Sequence, residues 1–375
     1  MGRVKTLERR GKRALMAGVG KVLRARPTTA KEFRAMDFRR ILVIRQHNQM
    51  GDMLLAVPAL RAIRESYPGA YVAVVSSNLN RGVLANSPFA DEVFTYEKKN
   101  PLGSPGLIRR LRARRFDLAI VLHTVSFSFT SIALAVLSGA RVRIGSTSAR
   151  IGDTLTGSWL NITLPLPTDD ELATMNEAEH NLYPLRVVGI TTNDIAPLIM
   201  PAPENERWAE EMAKSCWREG TTRLAVHPGA GKTENIWPPE RWAAVVDTLA
   251  RGRALSMAVI EGPADAASVK VFQAACGVQG TVIRGRPILD AAALMRRADL
   301  VLCNDTGVMH VAAAARARVL AVFGPTDPFR WAPRCPGLEI VRSPGGKLLS
   351  LEADEVAARA ARVLDGKPAS SADSG

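Results

Sequence analysis

Asn304-Asp305-Thr306-Gly307-Val308-Met309-His310 gathers a carboxylate, a hydroxyl, a glycine and an imidazole into one short stretch. Such a set suits an anionic, hydroxyl-bearing ligand. The glycine lets a ligand approach the backbone, and unpaired N–H groups at a helix N-terminus favour a phosphate. That dipole contributes about 0.3–1 kcal/mol when exposed and up to ~2 kcal/mol when partly buried. The same residues also read as an ordinary N-cap turn with a core-packed histidine. Two other stretches could carry chemistry. Gly51-Asp52 falls at a strand's carboxyl end, on the first turn of a helix, where it could equally be a simple cap. Gly229-Ala230-Gly231-Lys232-Thr233 imitates a phosphate-binding Walker A loop. The motif G-x-x-x-x-G-K-[ST] needs its first glycine where Val226 stands, and Trp237-Pro238-Pro239 interrupts the helix that should follow. A P-loop NTPase is therefore not expected, although a Gly-rich loop at a strand end can still wrap a phosphate or a base.

The elements that position these residues follow from periodicity. An apolar run over residues 298–303 reads as a strand, 309–315 as a small-residue helix, and 319–323 as the next strand, which leads into Gly324-Pro325-Thr326-Asp327-Pro328. Ligands of open α/β sheets sit beyond the carboxyl ends of the strands. Upstream, short continuous apolar runs predict buried strands over 41–44, 71–76, 92–95, 116–122 and 142–145. Helices are predicted over 52–64, with Pro58 tolerated near its start, and over 107–115. The segment 168–188 reads as acidic and then helical. Residues 191–205, with Pro197, Pro201 and Pro203, read as a linker. The alternation then restarts, with strands over 223–227, 256–260 and 281–283 between helices over 208–217, 239–250, 269–276 and 289–296. This predicts an α/β protein with doubly wound parallel sheets. The boundaries are a basic leader over 1–39, an N-terminal domain over 40–190, the linker, a C-terminal domain over 206–348, a last helix over 349–365 and a disordered tail over 366–375.

Composition narrows the class. The chain has 375 residues, 47% hydrophobic and 23% charged, as expected of a globular protein of two domains. No apolar run is long and clean enough to span a membrane. Four scattered cysteines with no CxxC pair argue against a zinc module or disulfide framework and fit a reducing compartment. No HExxH and no metal-ligand cluster stand out, so no metal is expected. No GxGxxG follows Val43, which leaves dinucleotide binding without support. The formal charge of +14 is unevenly spread: residues 1–40 hold thirteen Lys or Arg against three acids. Leu15, Val19, Val22 and Leu23 lie at helical spacing in that leader, as in an interfacial amphipathic helix. A solvated basic helix or tail fits it as well. A nucleic-acid partner is not expected, because no aromatic–basic interleaving accompanies the charge.

Three segments in order resemble the ADP-heptose:lipopolysaccharide heptosyltransferases, glycosyltransferase family 9. They are Met50-Gly51-Asp52-Met53-Leu54-Leu55-Ala56-Val57-Pro58-Ala59-Leu60, then His227-Pro228-Gly229-Ala230 through Trp237-Pro238-Pro239-Glu240-Arg241-Trp242, then Asn304 to His310 with Phe323-Gly324-Pro325-Thr326-Asp327-Pro328. The resemblance covers about residues 40–364. It implies a GT-B architecture of two Rossmann-like domains facing across a cleft, with the last helix packed back on the N-terminal, acceptor-side domain. It implies an inverting, metal-independent transfer of a heptose from an ADP-sugar, with no cofactor, to a lipid-linked oligosaccharide acceptor of the lipopolysaccharide-core type. It also implies a cytoplasmic enzyme, peripheral on the anionic surface of the inner membrane. Asp52 would be the catalytic base. An unperturbed Asp has a pKa near ~3.9, so burial would have to make it a better one. Asp305 would hold the donor's sugar hydroxyls, and Thr306, Gly307 and His310 its diphosphate. Gly229, Lys232, Asn235 and Glu261 complete the expected donor site.

This chain departs from the family pattern in two places. Asn235 stands where relatives usually carry a Lys shortly before the Trp-Pro, which makes Lys232 the nearest cation for the donor phosphates. In the loop after Glu261, Ala264 or Asp265 stands where many members carry a Glu. Two other readings remain open at this level: a nucleotide-sugar epimerase, and a non-catalytic membrane-surface protein whose leader is its functional part.

Overall fold

The computed structural model describes residues 24–46, 49–97, 104–122, 128–147 and 157–366. The leader as far as residue 23 and the tail beyond residue 366 lie outside the described residues. Two compact units are present. The first comprises residues 1–48, 58–81 and 88–194, the second residues 49–57, 82–87 and 195–375.

The first unit is built on β1 (Arg40–Ile44), β2 (Tyr71–Ser76), β3 (Glu92–Thr95), β4 (Leu118–Val121), β5 (Val142–Ser146) and β6 (Ile162–Leu164). These strands are all parallel, in the order β3-β2-β1-β4-β5-β6. β1 is central: Ile41 pairs with Val72 on one side and Leu118 on the other. Its four apolar residues are fully buried because helices cover both faces of the sheet.

The second unit holds β7 (Thr222–His227), β8 (Leu255–Glu261), β9 (Thr281–Arg284), β10 (Leu300–Asn304), β11 (Val319–Phe323) and β12 (Leu338–Arg342). Its order, β12-β11-β10-β7-β8-β9, repeats the topology of the first sheet. In such a sheet the first and fourth strands lie side by side, and the connections leave them in opposite directions. That switch point is where ligands bind in doubly wound folds. Here it falls between β7 and β10.

Four expectations are corrected. The leader ends well before residue 39. Thr29 caps the helix Ala30–Arg34 through a capping box with Glu32, and Phe33 and Phe38 are buried, their rings 4.9 Å apart. The edge of Phe38 meets Tyr67 at 5.7 Å. The helix over 52–64 is two helices, Met50–Leu54 and Val57–Ser66, with Pro58 in the first turn of the second, where a missing N–H costs nothing. The first of these clusters with the second unit, not with the N-terminal sheet. The last helix, Ala353–Leu364, buries Val356, Ala357 and Ala360 in the second unit's own core, against the helix Pro239–Ala250. The expected linker is shorter too, since Pro203 opens the helix Pro203–Cys216 at a position that favours proline.

Phe33 tests whether residues 24–39 belong to the folded body. Phe33→Ala is expected to destabilise the protein by about 3–5 kcal/mol, the usual cost of emptying a buried aromatic site. Denaturant unfolding measures it, and an unchanged midpoint would return this segment to a detached leader.

Candidate active site

The residues at the β7/β10 switch point are fixed by one buried amide. Asn304, the last residue of β10, is fully buried. Its Nδ2 donates to the carbonyls of Pro228 (3.1 Å) and Gly229 (3.0 Å). Its Oδ1 accepts from the Trp237 backbone N–H (3.3 Å) and from Trp242 Nε1 (3.1 Å). Both amide hydrogens and both oxygen lone pairs are thereby used. The two indoles meet edge to face at 4.8 Å, fully buried. The Gly-rich loop and the Trp-Pro turn are therefore tied to the strand that delivers Asp305.

Asp305 is itself buried. Its carboxylate accepts from Asn235 Nδ2 at 2.9 Å, and the same nitrogen reaches the Asp305 carbonyl at 3.2 Å. Thr326 Oγ1 donates to Asn235 Oδ1 at 3.3 Å. Burial pushes the Asp305 pKa up, while Thr326, the charge of Lys232 and Asn235 pull against that rise. Lys232 is exposed on its loop, and Asn235 lies beneath it in a short turn, Thr233–Asn235. Asn235 is thus an inward clamp on Asp305, and the nearby cation is Lys232.

Thr306 is the N-cap of the helix Gly307–Ala314, with extended backbone and no capping bond from its hydroxyl. One turn on, the His310 ring is buried, which lowers its pKa to about 4. The imidazole is therefore neutral at neutral pH, and among the described residues its Nδ1 has no hydrogen-bond partner. The ring lies against the helix Met50–Leu54. A Cβ added to Gly51 would come within 2.8 Å of His310 Cδ2 and 3.0 Å of Nε2. A Cβ on Gly307 would come within 3.2 Å of Met50 Cε. Two glycines, one on each helix, thus allow the helices to touch, and this contact draws residues 49–57 into the second unit. Asp52, half-buried, is the residue after Gly51.

Gly229 is required for another reason. A Cβ there would fall 2.2 Å from Asp265 Oδ1. Asp265 is buried, and its Oδ2 accepts from the Gly262 N–H at 2.9 Å. His227 Nδ1 donates to the Ile260 carbonyl at 3.0 Å, and Nε2 is 3.8 Å from Asp265 Oδ2. Burial lowers the His227 pKa, partly offset by the Asp265 charge.

Asp305, Thr306, Gly307, His310, Gly229, Lys232 and Asn235 therefore gather at the switch point, and Asp52 joins them through Gly51. Glu261 stands apart at the end of β8, two strands from β10, with Oε2 3.6 Å from Arg284 Nη2. Asn304 was legible only as part of a turn motif, and Asp265 only as a departure in a loop. Their partners lie far along the chain. Among the described residues, no cluster of three His, Cys, Asp or Glu side chains is disposed to hold a metal ion.

Two parallel sheets of the same strand order, with a Gly-rich loop and a helix N-terminus at one switch point, define a protein of two doubly wound α/β sheets. The same fold is found in the glycosyl transferase family 9 protein of Veillonella parvula, with a TM-score of 0.78 and 22% identity over 89% of this chain and 100% of that one. It is also found in Escherichia coli heptosyltransferase WaaC solved with ADP, with a TM-score of 0.68 and 18% identity over 86% and 99%. The model of glycosyltransferase family 9 (heptosyltransferase) matches residues 106–358, and the chain belongs to that family. Among characterised relatives it is similar to lipopolysaccharide heptosyltransferase 3 of Escherichia coli, 24% identical over 76% of this chain and 83% of that protein. It is also similar to the lipopolysaccharide core heptosyltransferase OpsX of Haemophilus influenzae, 22% identical over 78% and 81%.

Burial of His310 makes stability depend on pH. Between pH 6.5 and about 4 the unfolded chain takes up a proton at this residue and the native protein does not. Its contribution is complete above pH 6.5 and is lost as the pH falls through 4. His227 acts in the same sense and Asp305 in the opposite one. His310→Gln is expected to flatten the slope of unfolding free energy over this window by up to about 1.4 kcal/mol per pH unit, the value for one proton. Guanidinium denaturation at a series of pH values measures it, and an unaltered slope would mean that His310 is not buried as a neutral ring.

Proposed function

We propose that this protein transfers a heptose from ADP-heptose to a lipopolysaccharide-core acceptor, with inversion at the anomeric carbon and without a metal ion. Family membership and the names of its characterised relatives support the transferase reading over an epimerase or a non-catalytic surface protein. The observation that carries the mechanism is the contact of Gly51 with His310. It brings the carboxylate of Asp52 within one residue of the helix whose N-terminus would hold the donor diphosphate.

In this reading Asp52 is the general base. It takes the proton from the acceptor hydroxyl as that oxygen attacks the anomeric carbon. The bond from that carbon to the diphosphate oxygen breaks in the same displacement, and ADP leaves with the electron pair. A single displacement inverts the configuration. Asp305, fixed by Asn235, orients the sugar hydroxyls. The charge that develops on ADP is met by the backbone N–H groups of Thr306 and Gly307, by Lys232, and by one N–H of the neutral His310. Such preorganised donors are effective because they need no reorganisation as charge develops. Gly229 lets the loop after β7 close on Asp265, which shapes the donor side of the site. Glu261, at the end of β8 and paired with Arg284, is the outlying member of the donor set.

An acceptor of this kind is presented at a membrane. We place the enzyme on the cytoplasmic face of the inner membrane as a peripheral protein. Among the described residues, no helix is long and apolar enough to cross a bilayer.

Asp52→Asn is expected to lower single-turnover transfer by about 10²–10⁴, the usual contribution of a general base. ADP affinity by calorimetry is expected to stay within a factor of two or so, since only the base is removed. Both assays are run in EDTA. Near-normal turnover in the variant, or a strict divalent-ion requirement in the wild type, would contradict this mechanism.

A further inference from the structure

The first unit carries a cluster of arginines that the transfer reaction does not use. From Ser104 to Ser146 the chain contains seven arginines and one acid, Asp117. Asp117 is committed to the backbone, accepting from the N–H groups of Arg39 (2.9 Å) and Arg40 (3.0 Å). Three of the arginines are also engaged. Arg114 holds Glu92 at 2.9 Å, Arg143 donates to the Trp159 carbonyl at 2.7 Å, and Arg110 lies over the Phe94 ring at 5.6 Å. The other four, Arg109, Arg112, Arg115 and Arg141, are exposed and have no carboxylate partner among the described residues.

Arg109, Arg112 and Arg141 belong to neighbouring elements. The helix Ser104–Ala113 turns Leu107 and Leu111 into the core, the i,i+4 stripe of a helix packed on a sheet, and thereby turns Arg109 and Arg112 outward. The helix Phe129–Leu137 packs beside it and shares the same core cluster. Arg112 lies over the turn that follows this second helix, its Cγ 4.0 Å from where a Cβ on Gly139 would stand. Gly139 has φ +79°, so the close turn suits glycine, and Leu137 and Arg141 flank it by two residues on either side in the chain. Leu137 is 40% exposed and Phe129, at the other end of the same helix, 39%. Unpaired guanidinium groups around half-exposed apolar side chains suit the boundary between phospholipid headgroups and acyl chains.

We propose that this face, formed by the helices Ser104–Ala113 and Phe129–Leu137 and the turn to Arg141, docks the folded enzyme on a bilayer rich in anionic phospholipid. It does so separately from the leader. The inference rests on the reading that the acceptor is lipid-linked, and it assigns the membrane contact to the folded body. Dispersed arginine charges without acids attract a negatively charged surface, and the apolar side chains among them distinguish a bilayer from a nucleic acid, which would call for stacking aromatics or groove-reading groups.

The test uses the full chain and its Arg109→Glu/Arg112→Glu/Arg141→Glu variant. Each is co-sedimented with vesicles of phosphatidylglycerol and phosphatidylcholine, and with vesicles of phosphatidylcholine alone. Each basic residue near an anionic surface contributes about fivefold in binding, so the variant is expected to lose well over tenfold on the anionic vesicles. Hydrogen exchange in residues 104–115 of the wild type is expected to slow when those vesicles are added. Unchanged vesicle binding by the variant, protection confined to residues 1–23, or equal binding to phosphatidylcholine alone would overturn the proposal. So would tighter binding to single-stranded RNA than to the anionic vesicles. Transfer to a water-soluble core acceptor is followed in parallel. Both proteins are expected to retain it, and its absence in the wild type would overturn the transferase reading, whereas vesicle binding decides the docking face on its own.

Discussion

The Asn304 amide sets the geometry on which the rest of the candidate site depends. It is a polar group with no access to water, and a buried amide left unpaired would cost about 1–3 kcal/mol for each unsatisfied group. It avoids that cost only if the loop after β7 and the turn before Trp237 both come to it. Once they do, Gly229 faces Asp265 and Asn235 reaches the Asp305 carboxylate. Burial of one small side chain thus converts three separate loops into a single surface. The perpendicular pair of buried indoles packs beside the amide, Trp242 Nε1 donating to Asn304 and Trp237 Nε1 to the Leu351 carbonyl.

A second constraint is steric. The neutral ring of His310 and the bare Cα of Gly51 occupy the same gap, and Gly307 makes the reciprocal space for Met50. Glycine inside a helix ordinarily costs up to about 1 kcal/mol relative to alanine. Here it permits a contact that a methyl group would prevent, and the contact sets Asp52 beside the helix Gly307–Ala314. The helix Met50–Leu54 follows β1 in the chain but groups with the other unit.

Most of the strands were legible as continuous apolar runs, because a parallel sheet covered on both faces demands them. β6 and β12 were not. Each lies at a sheet edge, is short or half-exposed, and so carries no such run. The strand–turn–helix around Asp305 was readable because all its parts are adjacent in sequence. The role of Asn304 was not, since its partners stand 62 to 76 residues away and nothing local marks them. Phe33 and Phe38 were hidden within a basic stretch, where charge suggested a detached leader, and only packing against Tyr67 reveals them as core. The last helix is amphipathic, but amphipathicity does not say which core receives its apolar face.

The central claim is that the Gly51 helix and the His310 helix form one site. A double-mutant cycle on turnover with ADP-heptose tests it directly, using Gly51→Ala, His310→Ala and the pair together. If the two residues occupy one gap, the alanine methyl displaces the imidazole, and Gly51→Ala alone lowers kcat/KM by roughly tenfold or more, an interaction energy of the 0.5–3 kcal/mol size seen for residues in contact. With the imidazole removed the methyl fits, so adding Gly51→Ala to His310→Ala is predicted to cost nothing further. Strictly additive losses would contradict the account, because they would show that Gly51 and His310 act in separate places.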